Sequence, residues 1–239
     1  QEGSSYTQRT INKRRRVSSA RAFLTPAKSW SNLKIITNAH ATSLIMDGKK
    51  AIGVRYIKGG RGGSPKAIGA RREVILSGGV INSPQLLQLS GIGDPELLND
   101  LNIPVVHTLK GVGSNLRDHY TPRFTARVKN ATSINQLAQG PRVLVEGMKW
   151  LMKKPSVLSL SATAVYAFWR SDPAIDNADL QLTFMPASYT SGRQAILDKF
   201  PGMTLASWQQ RPESTGFVKA ISSDPFDKPV IQPNYLDHE

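Results

Sequence analysis

A strand–glycine–helix unit between residues 72 and 91 constrains the fold more than any other feature of the sequence. Residues 72–77 read REVILS, an apolar run typical of a buried strand, and Gly78 and Gly79 follow it directly. Small residues after a buried strand let the sugar or phosphate of a cofactor approach the backbone. The same turn also occurs in proteins that bind nothing there, so the residues alone leave both interpretations open.

A helix is predicted to follow the two glycines. Ser83 and Pro84 predict its start, because Ser is a good N-cap and Pro fits the first helical turn, and Gly91 predicts its end. The expected apolar face of this helix consists of three leucines, Leu86, Leu87 and Leu89. A second short helix is predicted after Asp94, where a proline repeats the start signal.

Local patterns predict further elements along the chain. Asp47-Gly48 lies between two β-rich runs and predicts a hairpin, because Gly tolerates the positive φ of the turn. Residues 58–66 read KGGRGGSPK, which fits neither GxGxxG nor GxxxxGK(S/T), so we interpret them as a flexible hairpin loop. Apolar residues at 3–4 spacing predict a helix over residues 141–153. The predicted strands are residues 33–37, 43–46, 51–57, 103–106, 180–184 and 217–221.

The mixture of short helices and strands predicts an α+β chain with a seam near residue 120. We therefore expect one domain at residues 1–120 and a second domain at residues 121–239. The second is expected to contain an antiparallel sheet, because LQLTF at residues 180–184 alternates apolar and polar side chains.

The positive charge of the chain is concentrated near its beginning. The 239 residues include 31 Lys and Arg against 17 Asp and Glu, a net charge of +14. Residues 1–75 hold 16 of the basic and 3 of the acidic side chains, and Lys13-Arg14-Arg15-Arg16 is the densest run. A basic excess suggests a polyanion partner. Nucleic-acid binding, however, favours basic residues interleaved with stacking aromatics, and few aromatics lie near this run. We therefore expect a solvated loop and no nucleic-acid partner.

Composition excludes several classes of protein. The chain has no Cys, which excludes disulfide scaffolds, Cys-ligated zinc, iron–sulfur clusters and thiol catalysis. No stretch approaches the ~20 apolar residues of a membrane span, so no transmembrane segment is expected. The first residues contain neither a starting Met nor an apolar signal core, so we expect the sequence to be internal to a longer chain. A chain without Cys tolerates either an oxidising or a reducing compartment, so its composition does not define its location. A cytoplasmic location is our default expectation.

No catalytic constellation is visible in the residues themselves. The chain has no GxSxG or HExxH pattern, and no metal site is expected because its histidines are scattered without ligand spacing. These histidines are His40, His107, His119 and His238. The residues alone therefore define a possible cofactor-facing domain joined to an antiparallel-sheet domain.

Four ordered motifs carry a resemblance to a known family. Residues 77–93 read SGGVINSPQLLQLSGIG, which resembles the second signature of the glucose–methanol–choline (GMC) flavin oxidoreductases, nearest to their choline-dehydrogenase-like and alcohol dehydrogenase branch. Residues 111–119 resemble the family's G-x-N-L-x-D-H. Two further matches are residues 18–24 and the C-terminal group at 211–216, 224–225 and 233–236. Val80 departs from the signature, since the family usually has a smaller residue there.

The resemblance implies a partial GMC fold that binds FAD. It implies a partial α/β FAD-binding domain at residues 1–120 and a partial substrate-binding domain at residues 121–239. The backbone of Ala41, together with Ser77 and Gly78, would then lie beside the adenosine part of FAD. The family's GxGxxG and its catalytic His are not in this sequence, so no catalytic residue is assigned. We do not assign His119 or His238 as the catalytic base.

The resemblance also implies a substrate side. Tyr166, Trp169 and Phe184 fall in the family's substrate-domain sheet, whose inner face covers the flavin. Choline-specific relatives place a carboxylate in this region, whereas residues 157–169 contain no acid. A quaternary ammonium would then rely on cation–π contacts alone. We therefore expect a small-molecule substrate that is an uncharged primary alcohol rather than choline.

The resemblance implies FAD-dependent oxidation of an alcohol to an aldehyde by hydride transfer to flavin. The electron acceptor stays undefined. We expect the isolated chain to be inactive and to bind FAD weakly or not at all. Three alternatives stay open: a cyanohydrin lyase, which keeps FAD without net redox change; a non-catalytic remnant that serves as an interaction module; and, against the expectation above, nucleic-acid binding through the basic residues 9–21.

Overall fold

The computed structural model describes residues 2–13, 15–159, 163–190 and 196–238 of the chain. Its strands, in chain order, are β1 (Gly3–Tyr6), β2 (Ile11–Asn12), β3 (Arg15–Arg16), β4 (Ala39–Asp47), β5 (Lys50–Lys58), β6 (Ser64–Gly69), β7 (Ile92–Gly93), β8 (His107–Thr108), β9 (Ser114–Leu116), β10 (Arg123–Arg127), β11 (Val165–Trp169), β12 (Leu180–Met185), β13 (Gly202–Gln209), β14 (Gly216–Lys219) and β15 (Val230–Gln232). Its α-helices are α1 (Thr25–Ala27), α2 (Gly79–Gln88), α3 (Pro95–Asp100), α4 (Ile134–Leu137) and α5 (Arg142–Leu151). A π-helical turn at Ala20–Leu24 precedes α1, and a 3-10 turn at Val157–Ser159 follows α5. The predicted α+β class is confirmed.

The chain divides into two compact units, and each is discontinuous in sequence. The large-sheet unit comprises residues 1–33 and 119–211, and the small-sheet unit comprises residues 34–118 and 212–239. β1 pairs with β11, which joins the first residues to the large-sheet unit, and β14 pairs with β9, which joins the last residues to the small-sheet unit. The division into domains at residues 1–120 and 121–239 stays a prediction.

The large-sheet unit is built on a five-stranded antiparallel sheet. Its strand order is β1-β11-β12-β13-β10. One row of paired residues, Val165, Phe184, Leu205 and Phe124, crosses the sheet and marks one face. The opposite face carries the buried Thr183, Thr204 and Ala206. The predicted strand at residues 180–184 is confirmed as β12, with the face that carries Thr183 turned inward.

A buried amide holds the large-sheet unit together. Asn135 on α4 donates from Nδ2 to the carbonyl oxygens of Ser188, at 2.9 Å, and Asp198, at 3.0 Å. Its Oδ1 accepts the Ser188 N–H at 2.9 Å. Ser133 caps the same helix in a capping box with Gln136. One side chain thus satisfies several buried backbone groups at once.

The small-sheet unit contains the predicted hairpin. β4 and β5 pair antiparallel, with Gly48 at φ +53° in the turn between them, and β6 continues the meander. Residues 59–63 make the tight connection from β5 to β6, as the glycines of residues 58–66 predict. A second sheet has the order β15-β14-β9, which confirms the strand predicted at residues 217–221 with different bounds.

Helix α2 differs from its prediction in where it starts and which face it buries. It begins at Gly79 rather than at Ser83, and Pro84 lies inside it. Ser83 is not the N-cap: its Oγ accepts the N–H of Gly78 at 3.0 Å, which draws the preceding turn onto the helix. The buried side chains are glutamines, Gln85 and Gln88, and the three leucines are only half-buried.

Gln88 explains why a helix of this composition turns its amides inward. Its Nε2 donates to the carbonyls of Val218 and Val112, at 3.0 and 3.3 Å, and its Oε1 accepts the Ala220 N–H at 2.8 Å. The side chain is fully buried. It therefore joins α2 to β14 and to the loop before β9, and satisfies backbone groups that would otherwise be buried unpaired.

Three predicted strands are wrong. Residues 33–37, 72–77 and 103–106 have no strand structure, and Ile75 is 75% exposed. A strand requires backbone partners on at least one edge. No described strand pairs with these segments, so their β-rich composition is not enough to make them strands. Among the described residues, no helix is both long and apolar enough to cross a membrane.

Candidate functional site

A cleft in the small-sheet unit brings the predicted cofactor residues together. It has a volume of about 480 Å³ and lies beside β4, residues 74–78 and α2. Ala41, Ser77 and Gly78 all line it. The remaining lining consists of Ala39, His40, Val54, Val74, Ile75, Leu76, Asn82, Ser83, Gln85, Leu86, Leu89 and Pro225. Leu86 and Leu89, predicted as part of the apolar face of the helix, thus form part of a cleft wall.

The two glycines fix the turn that forms the cleft floor. Gly79 has φ +81°, in the left-handed region that favours glycine. A Cβ on Gly78 would lie 3.2 Å from Asn82 Cβ and 3.2 Å from the backbone nitrogen of Ser83. A side chain at Gly78 would therefore crowd the first turn of α2. Val80, the departure from the family signature, is 66% exposed and crowds nothing.

The cleft suits a flat, uncharged heteroaromatic ring. Its lining has apolar walls and a few hydroxyl and amide groups, and none of the described residues that line it is Asp, Glu, Lys or Arg. Its size and its mix of apolar walls with few polar groups are typical of small-ligand sites. The residues present therefore fit the adenine end of a dinucleotide and do not offer a counter-charge for its pyrophosphate.

A turn from the far end of the sequence closes one side of the cleft. Pro225 lines the cleft, and the turn that carries it is held by Arg61 in the β5–β6 connection. Arg61 donates to Asp224 at 2.5 Å and to Asp227 at 2.9 Å, and its guanidinium carbon lies 5.5 Å from the centre of the Phe226 ring. We call Arg61, Asp224, Phe226 and Asp227, together with His40, the Arg61 clamp.

His40 completes the clamp from β4. Its ring stacks on Phe226 with centroids 4.5 Å apart, and its Nε2 lies 2.7 Å from the Pro225 carbonyl oxygen. The Ser222 hydroxyl and then Arg61 lower the pKa of Asp227 by hydrogen bonding to its charged form. Hydrogen bonding to Asp227 in turn raises the pKa of Arg61. Sequence reasoning missed the clamp because Arg61 and Asp224 are 163 positions apart.

The residues of the motifs at 111–119 and 233–236, and His238 beside them, make packing contacts. His119 stacks on Trp208 with centroids 5.8 Å apart, and its Nε2 lies 3.0 Å from the Gln210 carbonyl oxygen. The Tyr235 hydroxyl donates to Asp118, which raises the pKa of Tyr235 and joins residues 111–119 to residues 233–236. His238 lies 3.3 Å from Glu213. None of these histidines lines the cleft.

Two of the three predicted substrate residues share an exposed apolar face in the large-sheet unit. Trp169 and Phe184 lie on the face that also carries Leu182, Leu205 and Phe124, whereas Tyr166 points to the opposite side. Phe124 is 72% and Trp169 57% exposed. Among the strand residues on this face, none is charged. We call this surface the apolar face.

Comparison with known proteins identifies the family. The profile of the GMC oxidoreductases matches residues 1–121. The chain is 38% identical over 240 residues to human mitochondrial choline dehydrogenase and 39% identical over 228 residues to an oxygen-dependent choline dehydrogenase of Chromohalobacter salexigens. These matches cover 100% and 95% of this chain, and 40% of each relative. The chain belongs to the GMC oxidoreductase family and spans about two fifths of these relatives.

Solved structures share the fold. A formate oxidase superposes with a TM-score of 0.83 at 24% identity, over 96% of this chain and 44% of that structure. An FAD-dependent oxidoreductase from Chaetomium thermophilum gives a TM-score of 0.78 at 22% identity, over 95% and 45%. Family membership confirms FAD as the predicted cofactor.

Proposed function

We propose that this chain forms part of a longer flavoenzyme that oxidises an alcohol to an aldehyde. The observation that carries the proposal is the cleft, which is lined by Ala41, Ser77 and Gly78. Membership of the GMC family supports the same reaction class. FAD, when bound, supplies the hydride acceptor. The chain's own residues position its adenosine end.

Each of the three residues has a distinct role in the proposal. β4 is an edge strand, so part of its backbone is not used by β5, and Ala41 offers N–H and C=O groups to the adenine. Ser77 offers a hydroxyl at the cleft. The N–H of Gly78 is already bonded to Ser83, so Gly78 contributes by carrying no side chain.

The apolar face supports an uncharged substrate. Trp169 and Phe184 are proposed to contact the alcohol, and Tyr166 is retained as a weaker candidate because it lies on the opposite side of the sheet. The named relatives are choline dehydrogenases. A choline site would gain from a carboxylate near the cation, and neither the apolar face nor residues 157–169 contains one. Residues 160–162 of that range lie outside the described part of the chain.

The test uses the natural protein that carries this sequence, purified with its flavin. It is mixed without oxygen with choline, a primary aliphatic alcohol or benzyl alcohol, and the absorbance band of oxidised flavin is followed. We expect the uncharged alcohols to bleach the band faster than choline. Faster bleaching by choline would overturn the substrate proposal. A bound flavin that no alcohol bleaches would favour the cyanohydrin lyase, and a protein without flavin would favour the non-catalytic remnant.

We also expect the isolated 239-residue chain to show no alcohol oxidation. His40 is held in the Arg61 clamp and His119 is stacked on Trp208, so neither is placed to take a proton from an alcohol. An assay with an artificial electron acceptor tests this. Turnover by the isolated chain would contradict the proposed division of roles.

A further inference from the structure

Helix α2 buries two glutamines that use their amide groups differently. Gln88 donates through Nε2 to two carbonyls and accepts the Ala220 N–H through Oε1, so both ends of its amide are bonded. Gln85 is 9% exposed and donates from Nε2 to the Asp227 carbonyl oxygen at 2.7 Å. Among the described residues, none donates a hydrogen bond to its Oε1. Gln85 therefore holds one polar atom that the described fold does not use.

The contact with Asp227 defines which end of the Gln85 amide is the oxygen. The two ends of a glutamine amide are told apart by their partners, and a carbonyl oxygen can only accept a hydrogen bond. The end that meets Asp227 must therefore be Nε2, which leaves Oε1 at the other end. Because Gln85 lines the cleft, Oε1 is the polar atom that this side chain offers to a ligand there.

The turn that carries Asp227 is tightly held. The Ser222 hydroxyl donates to the Asp227 carboxylate at 2.7 Å and accepts the Asp224 N–H at 3.1 Å. Arg61 pairs with the carboxylates of both Asp224 and Asp227. A carbonyl fixed in this way holds the Gln85 amide in one orientation. An acceptor that is already oriented loses little conformational freedom when a ligand binds.

The other polar side chains of the cleft are less suited to select a ligand. Ser77, Asn82 and His40 are exposed, and the Ser83 hydroxyl already accepts a backbone N–H in the preceding turn. Of the polar residues that line the cleft in the described part of the chain, Gln85 is the one that is buried. A buried polar group discriminates strongly between ligands, because a ligand without the matching group leaves it unpaired.

We propose that Gln85 selects the base that occupies the cleft, by accepting a hydrogen bond from the exocyclic amine of adenine. This inference rests on the proposed function, in which Ala41, Ser77 and Gly78 lie beside the adenosine end of FAD. Adenine carries an amine donor at its 6-position, whereas guanine and hypoxanthine carry an acceptor oxygen there and would be repelled by Oε1. Gln85 is then a specificity-determining residue, and Asp227 is a positioning residue that acts through it.

The test is competition with FAD for the flavin-stripped natural protein that carries this sequence. The competitors are ADP and purine riboside diphosphate, which is ADP without its amino group. FAD is titrated in the presence of each competitor, and flavin fluorescence gives the competitor's dissociation constant. We expect the unchanged protein to prefer ADP. Gln85→Met keeps the length of the side chain and removes the amide, so we expect it to lower this preference about fivefold, the size of one neutral hydrogen bond.

Further variants separate the acceptor from packing. Gln85→Glu keeps an oxygen acceptor and loses the donor to Asp227, so it should lower the melting temperature but retain the ADP preference within about twofold. Arg61→Met releases the turn and should lower the preference less than Gln85→Met, and Arg61→Lys, which can pair with one carboxylate, should restore part of it. Gln232→Met, at an exposed position in β15, is the matched control and should leave the preference unchanged. Melting temperatures of the flavin-stripped variants show that each is folded.

The possible failures of this inference and of the proposed function can be told apart. An equal ADP preference in the unchanged protein and in Gln85→Met would overturn the role of Gln85, while competition by ADP would still support the cleft. A loss in Gln85→Glu or Gln232→Met as large as in Gln85→Met would assign the effect to packing and also overturn it. If ADP does not compete with FAD in the unchanged protein, the proposed use of the cleft fails together with that of Gln85.

Discussion

The two units of this chain are held together in the same way and differ in what they present to their surroundings. Each is fastened by a buried amide side chain, Gln88 in the small-sheet unit and Asn135 in the large-sheet unit. The large-sheet unit contains 18 basic and 6 acidic residues, a net charge of +12, whereas the small-sheet unit contains 13 and 11, a net of +2. The net charge of +14 is therefore almost entirely a property of one unit.

Exposed apolar side chains occur in both units, for example Phe124 in the large-sheet unit and Ile75 in the small-sheet unit. The large-sheet unit carries the apolar face on its sheet, while the small-sheet unit encloses an uncharged cleft and pairs Arg61 with Asp224 and Asp227. The two units therefore differ in the kind of contact that they offer to a ligand. The small-sheet unit is proposed to hold a cofactor, and the large-sheet unit is proposed to contact the substrate.

The largest expected effect comes from removing the buried amide of the small-sheet unit. Gln88→Leu leaves the carbonyl of Val218 and the N–H of Ala220 buried without their partners. We expect a loss of about 3–5 kcal/mol in the free energy of unfolding, since each buried unsatisfied group costs about 1–3 kcal/mol. Chemical denaturation of the natural protein measures this. Gln232→Leu, at an exposed position in β15, is the matched control and should change stability little.

The corresponding change in the large-sheet unit is Asn135→Ala. It removes the bonds to Ser188 and Asp198 but leaves a small cavity that the short α4 can partly close. We expect a smaller loss, about 2–4 kcal/mol. Asn177→Ala, at an exposed position of the same unit, should be near neutral. If the exposed variants cost as much as the buried ones, the amides are not the fastening elements of the two units.

A smaller effect should appear in the acid dependence of the small-sheet unit. The Ser222 hydroxyl and Arg61 lower the pKa of Asp227, so the stabilisation it provides is present above the ordinary Asp pKa and is lost as pH falls through the lowered value. Asp227→Asn should therefore flatten the fall in melting temperature below about pH 4. Asp100→Asn, an exposed residue outside the Arg61 clamp, provides the comparison. Identical acid profiles for the unchanged protein and Asp227→Asn would contradict the role of the clamp.

Local chemistry predicted some elements of this fold and failed for others for definable reasons. The β4–β5 hairpin was predictable because its turn, Asp47-Gly48, lies within the segment it joins. Residues 33–37 and 72–77 have strand composition, but pairing depends on a neighbour that composition does not reveal. Helix α5 buries Glu146 and exposes apolar side chains such as Leu144, because Glu146 accepts hydrogen bonds from Ser156 and Val157, which no periodicity encodes.

The residues of the candidate site also differ in whether the sequence predicted them. Ala41, Ser77 and Gly78 were found through a motif resemblance, and the structure places them on one cleft. The Arg61 clamp was invisible because a loop arginine meets Asp224 only after folding. Tyr166 and Trp169 face opposite sides of the sheet, because successive side chains of a strand alternate between its two faces. This can be predicted only once the bounds of β11 are known.

The cleft of the small-sheet unit is proposed to bind the adenosine end of FAD. Ser77→Phe fills the cleft from an exposed position, and Ser64→Phe makes the same substitution on β6 outside the cleft. FAD is titrated into the flavin-stripped natural protein and its two variants, and binding is followed by flavin fluorescence. We expect Ser77→Phe to weaken FAD affinity about tenfold or more, a loss of about 1.4 kcal/mol, and Ser64→Phe to leave it unchanged. Equal FAD affinity in both variants, with equal melting temperatures without flavin, would contradict it.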